Sequence, residues 1–240
     1  VLFIKSRNRK NILFRRPDMI DTAYLTDKFI SALQNTFPDK VCFVGLQGSY
    51  ARGEATESSD IDFVVILDHL SCEDVRKYRT MLDAFPQREL FCGFLSDADD
   101  LRNWEVSDLF QFYYDTKPII GTLDDIIPPI TVDDIRRSVR IEVCNIYHSC
   151  VHNLIYEKDP AILKGSYKSA YFVIQALLYL RSGEYIARLQ ELVSKAEGCE
   201  KDIISAYIQI KNSGVSDFER LSDLIFTWAK KQLNHLNECI

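Results

Sequence analysis

The sequence predicts an α/β domain followed by a helical bundle. Three observations carry that expectation. Short apolar runs with strand character alternate with helical segments through the first half of the chain. After the stretch "YYDTKPIIGTLDDIIPP" the pattern turns to nearly continuous helix. The Pro128–Pro129 pair marks the change, which places one domain at 1–128 and a second at 129–240.

Taken in order, Ile20, Ala23, Leu25, Phe29, Ile30 and Leu33 recur at roughly helical spacing over 18–36, and "FPDK" ends that helix. "VCFVGLQ" reads as a strand, a polar loop "GSYARGEATESSD" follows, and "IDFVVIL" reads as the next strand. Ser71 opens a helix near 71–84, and "ELFCGFLS" is a third strand candidate. In the second half Thr131 can cap a helix in which Val132, Ile135, Val139, Val143, Ile146, Cys150 and Leu154 fall three or four residues apart. Asp159 and Pro160 start the next helix and Gly183 stops it. Its segment "AYFVIQALLYL", 170–180, is apolar almost all round, as the central helix of a bundle must be. Lys164, Lys168, Tyr171 and Gln175 run along one edge of that helix, and such an edge calls for water or a ligand. "SDFE" at 216–219 has the capping-box pattern for the last helix.

Composition narrows the function classes. With 240 residues and 47% hydrophobic content the chain can bury a sizeable core. No apolar run approaches the ~20 residues that span a bilayer, and "VLFIKSRNRK" lacks the apolar region and cleavage site of a signal peptide, so a cytoplasmic protein is expected. The seven cysteines are odd in number and form no CxxC pair, which points to reduced thiols rather than zinc or a disulfide framework. The net charge of −6 hides an asymmetry: six of the 29 basic residues lie in the first 16, ahead of any acid, so the remaining 23 face 35 acidic residues. That basic arm is either a solvated terminus or a phosphate-binding segment. The acidic body is poor at holding polyanions and good at attracting cations, so nucleic acid is not an expected partner.

The chemistry concentrates at 48–62. Asp60 and Asp62 flank Ile61 at a strand start, where alternation sends both carboxylates to one face about ~7 Å apart. Two carboxylates so placed repel unless a cation sits between them, and Mg²⁺ accepts one or two carboxylates while completing its shell with water and phosphate oxygens. Gly48 lets the backbone approach a ligand closely, Ser49 offers a hydroxyl and an N–H, and Arg52 adds a positive fork. Gly48-Ser49, ten residues, then Asp60-Ile61-Asp62 resembles the signature of the DNA polymerase beta-like nucleotidyltransferases, and most nearly their small bacterial, aminoglycoside-type branch. The resemblance rests on residues 45–66 and implies a mixed-sheet catalytic domain joined to a helical C-terminal domain. It further implies that Ser49, Arg52 and Ser59 contact a triphosphate and that Asp60 and Asp62 ligate Mg²⁺.

Members of that family carry a third carboxylate on the next long strand, where it acts as base for the attacking hydroxyl. Here the aligned position falls near Phe91, which leaves Glu89, two residues earlier on the same strand face, or Asp97 after the strand, as substitutes. Glu89 is the residue assigned here. Lys168 resembles in kind a C-terminal-domain lysine that reaches nucleotide phosphates in the aminoglycoside enzymes, although a surface lysine explains it as well. His148 and His152 stand one helical turn apart without a third ligand and read as helix-surface residues. Trp104, Tyr113 and Tyr114 can stack on a base or simply pack in the core.

The expected function is a Mg²⁺-dependent transfer of a nucleoside monophosphate, AMP from ATP or its equivalent from another nucleoside triphosphate, to a hydroxyl of a small and plausibly cationic acceptor such as an aminoglycoside. No membrane partner is expected, and a homodimer is allowed. A protein AMP-transferase of antitoxin type and a nucleotide-binding module without catalysis remain as alternatives.

Overall fold

The computed structural model describes residues 22–56 and 59–238, so the basic arm and the first residues of the expected 18–36 helix lie outside the described residues. The chain divides after Pro129 into two compact units.

In the first unit, α1 (Thr22–Thr36) leads into β1 (Val41–Gln47), and a single turn, α2 (Gly48–Arg52), stands between β1 and β2 (Ile61–Leu67). Then follow α3 (Cys72–Asp83), a 3₁₀ turn over Arg88–Leu90, β3 (Phe91–Asp97), α4 (Ala98–Arg102), α5 (Val106–Asp115) and β4 (Lys117–Ile120). The four strands form one mixed sheet in the order β3-β2-β1-β4. β1 is antiparallel to both β2 and β4, whereas β2 and β3 run parallel.

Both faces of the central strands are buried, so β2 reads as a continuous apolar run after Asp62. On one face Ile61, Phe63, Val65 and Leu67 meet Leu25, Phe29, Leu33 and Phe37, which recur every fourth residue and so form one stripe along α1 and its exit. The Phe29 ring stacks on Phe63 at 3.8 Å, and Met81 and Leu82 of α3 close the same layer. On the other face Phe43, Val64 and Ile66 are fully buried, and Phe94 of β3 packs edge-on against Phe112 of α5 at 5.1 Å. The sheet therefore lies between two helical layers, as an α/β domain requires.

Ser71 caps α3 as expected. Its hydroxyl accepts from the Asp74 N–H at 3.2 Å, and its own N–H donates to Asp74 Oδ2 at 3.0 Å. These bonds to Ser71, ahead of the Lys40 charge, lower the Asp74 carboxyl from its ordinary 3.8 to about 2. A carboxyl depressed in the folded state stabilises it above the unfolded value and loses that contribution as pH falls through the folded one. Ser71→Ala is therefore expected to lower the thermal midpoint by about 2–4 °C at neutral pH. The difference from the parent should shrink between about pH 4 and pH 2 in parallel melts.

The second unit is helical: α6 (Val132–His152), a π turn over Asn153–Glu157, α7 (Pro160–Ser182), α8 (Leu189–Lys195), α9 (Gly198–Ser213) and α10 (Phe218–Glu238). Thr131 and Asp134 form a capping box on α6, and Ile135, Val139, Val143, Ile146 and Cys150 are its buried stripe. Val132, expected in that stripe, is exposed. α7 is the central helix, packed against α6, α9 and α10, and its Tyr167 hydroxyl donates to the Leu221 carbonyl at 2.8 Å.

Two expectations change here. Tyr171 and Gln175 do not meet water or a ligand: both are buried, the Tyr171 hydroxyl donates to the Ala187 carbonyl at 2.7 Å, and Gln175 Nε2 donates to the Ile186 carbonyl at 2.7 Å. The segment before α8 thus supplies the acceptors the polar edge needed. At the last helix the cap is Asp217 rather than Ser216, since Asp217 Oδ1 accepts from the Arg220 N–H at 3.1 Å.

Candidate active site

β1 ends at Gln47, which is registered with Asp62 near the start of β2. The chain leaves β1 through Gly48 at φ +69°, where an added Cβ would lie 2.3 Å from Asp62 Oδ2. The carboxylate rests against bare backbone, in a conformation that side-chain-bearing residues disfavour. Ile61 is fully buried in the α1–α3 layer, so Asp60 and Asp62 point to the opposite side of the sheet, and both are half-buried. Ser49 follows Gly48 in α2, also half-buried.

β3 corrects the assignment of Glu89. The residues Arg88–Leu90 form a 3₁₀ turn, and the strand begins only at Phe91. Phe91 is registered with Ile61 and buried in the core, with its ring 4.7 Å from Phe85 and 6.0 Å from Phe63. Glu89 is exposed in the turn ahead of the strand, so the alternation that would aim it at Asp60 and Asp62 does not apply to it. Phe91 likewise faces the core instead of narrowing an acceptor pocket. The strand is in the opposite phase to the one expected, and a shift of one residue exchanges the two faces.

Cys92 is the residue registered with Asp62. Its thiol is raised above the ordinary value, first by burial and then by the Asp62 carboxylate, with Asp60 adding a smaller effect. A protonated thiol thus stands beside the two acids, where the family resemblance had suggested a carboxylate. Asp97 is not a substitute: it is registered with Leu67 at the far end of β3, and its carboxylate accepts from the Leu70 N–H at 2.9 Å and the Asp100 N–H at 2.8 Å. It caps α4 at the end of the sheet away from Asp62.

Arg52 has different partners from those expected. Its Nη1 donates to both oxygens of Asp115, at 2.7 and 2.6 Å, and its Nε lies 3.3 Å from Glu54 Oε2. The guanidinium is 12% exposed and the Asp115 side chain 1%. Gln47 Nε2 donates to Thr116 Oγ1 at 2.7 Å, so the next residue of the chain ties down the start of the same loop. Ser59 folds back on its own turn, its Oγ accepting from the Thr56 N–H at 2.8 Å.

Lys168 is exposed on α7, in the second unit. His148 and His152 are exposed on α6 with ring centroids 6.1 Å apart. Trp104 packs edge-on against Phe94 at 5.8 Å, and Tyr113 donates to Asp124 Oδ1 at 2.6 Å.

Asp60 and Asp62 fit a hard cation of the Mg²⁺ kind, which needs few protein carboxylates when phosphate and water complete its shell. Among the described residues no group of three or more His, Cys, Asp or Glu side chains is arranged to hold a metal by itself. A cation here would take its remaining oxygens from outside the protein.

A family model described as a nucleotidyltransferase domain matches residues 26–146, half of the chain. The chain belongs to this nucleotidyltransferase family. It is therefore an enzyme of the nucleotidyltransferase class, and the reaction is transfer of a nucleoside monophosphate. The crystal structure of the spectinomycin adenyltransferase AAD(9) of an Enterococcus, determined with ATP and spectinomycin, has a similar fold. The two superpose with a TM-score of 0.59 at 14% identity over 89% of this chain and 100% of that one. A Methanocaldococcus jannaschii protein provisionally named as a protein adenylyltransferase is 34% identical over 59 residues, which are 25% of this chain. The similarity spans 40% of the length of that relative. The matched family segment contains every candidate residue except Lys168. Among the described residues no helix is long and apolar enough to cross a membrane.

Proposed function

We propose that this nucleotidyltransferase moves AMP from ATP to a hydroxyl of a small cationic acceptor, with Mg²⁺ held by Asp60 and Asp62 and pyrophosphate as the second product. The observation that carries the reading is the contact between the Gly48 backbone and the Asp62 carboxylate, which sets a phosphate-sized approach beside a pair of acids. Ser49 offers its hydroxyl and N–H to the triphosphate, and Ser59 lies one residue before Asp60 at the mouth of the same loop. Bound at the two carboxylates, Mg²⁺ would polarise the α-phosphoryl group and offset charge on the leaving pyrophosphate. The acceptor oxygen forms a bond to the α-phosphorus while the bond to the bridging oxygen breaks. Gly48, Ser49 and the two acids hold those atoms in line. The fold shared with an enzyme crystallised with ATP and spectinomycin supports this donor and this kind of acceptor. The excess of acidic over basic residues in the chain, net −6, supports a cationic acceptor.

Transfer to a protein side chain is the second reading, favoured by the short similarity to the Methanocaldococcus jannaschii protein. One assay separates the two: pyrophosphate release from each nucleoside triphosphate with Mg²⁺, against a panel of aminoglycosides and of candidate proteins. Release with ATP that requires a small cationic acceptor and stops with EDTA is expected. Label from [α-³²P]ATP appearing only on protein would establish the second reading, and release without any metal would overturn the assignment to Asp60 and Asp62.

A further inference from the structure

We propose that Asp115 and Arg52 are a positioning pair for the nucleotide, with Arg52 acting through the Gly48–Arg52 turn and not by touching phosphate. The inference rests on the reading of that turn as the triphosphate-binding segment. Its starting point is that α2 has only five residues. A helix so short cannot hold its own shape, because nucleation is unfavourable and few bonds follow to offset it. Something else must keep Gly48 against Asp62.

The end of α5 does this with two consecutive residues. Thr116 Oγ1 accepts from Gln47 Nε2 at 2.7 Å, one residue before Gly48, and Asp115 receives the forked contact from Arg52 at the last position of α2. The segment is gripped at entry and at exit. Asp115 is the last residue of α5, where a carboxylate opposes the helix dipole, and it is almost wholly buried. Its placement does nothing for α5 and is explained by the guanidinium it receives. For Arg52 to serve a phosphate instead, it would have to leave a buried carboxylate behind, which is strongly unfavourable. Beyond Arg52 the chain turns away at Gly53 with φ +70°, and the Gly53 N–H returns to Tyr50, so the grip is applied at the natural end of the turn.

The test uses the full chain with Asp115→Asn, Arg52→Lys, the double variant, and Thr116→Val as a milder change that loosens only the entry grip. Amide hydrogen exchange over residues 48–53 is measured without nucleotide, and KM for the nucleoside triphosphate and kcat are measured separately. In all variants exchange should speed up by about tenfold or more and KM should rise by about tenfold, with kcat within roughly threefold of the parent. The double variant should be no worse than the worse single one, as expected for two halves of one contact. If Arg52 instead binds phosphate, Asp115→Asn frees its guanidinium and KM falls or holds while only Arg52→Lys is harmful; that result overturns the proposal. Unchanged exchange over 48–53 in Asp115→Asn and Thr116→Val overturns it as well. If the parent fails to use any nucleoside triphosphate, the functional reading falls, and the exchange data still decide whether the grip exists.

Discussion

Asp62→Asn is expected to lower kcat/KM for nucleotidyl transfer by ~10³-fold or more while the protein stays folded, and Asp60→Asn should do the same within an order of magnitude. The two carboxylates share the sheet face opposite the fully buried Ile61, and Asp62 lies against the Gly48 backbone. Asparagine keeps the shape of the side chain and removes the charge that would hold a divalent cation. The fold should survive because neither residue belongs to the apolar core, and neutralising one of two neighbouring acids relieves repulsion. Pyrophosphate release read beside thermal unfolding checks both halves. Rates within a few-fold of the parent in both variants would end the metal assignment.

Gly48→Ala should come next in size, through geometry in place of charge. An alanine at φ +69° is strained by roughly 1–2 kcal/mol. Its Cβ, placed 2.3 Å from Asp62 Oδ2, must also push the carboxylate by about 1 Å to reach ordinary contact. A displacement of that size at reacting groups lowers rates by about 10²-fold, so kcat/KM should fall accordingly. Gly53 supplies the control: its φ is +70°, yet an added Cβ would meet nothing within 4 Å. Gly53→Ala should therefore lose similar stability and keep its rate within a few-fold. Equal losses of activity in the two variants would show that backbone strain, not the Asp62 contact, is responsible.

Much of this site was legible because its signals are local. β1 and β2 run over the residues expected, Val41–Gln47 and Ile61–Leu67, since each is an apolar run bounded by turn residues. Ser71, Thr131, Pro160 and Gly183 mark helix ends through bonds or dihedrals that involve only their neighbours. β3 was misread because Leu90 and Phe91 are both buried, which a 3₁₀ turn permits and strand alternation does not. With the phase of the strand reversed, Cys92 escaped notice and Glu89 was put in its place. The Arg52–Asp115 contact joins residues 63 apart, and no local pattern announces such a pair. One hint was available: an acid at the end of a helix opposes the dipole and needs a cation from elsewhere. Tyr171 and Gln175 failed in the same way, their acceptors being carbonyls at Ile186 and Ala187 that periodicity does not register.

The grip on α2 bears on how this enzyme can change over evolutionary time. Every contact described for the Gly48–Asp62 arrangement comes from residues 47–116, inside a unit that has its own core and ends at Pro129. Substitutions accumulating in α6–α10 need no compensating change around Asp62, and a replacement of that whole bundle by recombination at the Pro128–Pro129 seam would leave the two acids and their backing glycine in place. The first unit is in that sense separately heritable. A lineage can acquire a new acceptor by altering the helices while the nucleotide chemistry passes on unaltered.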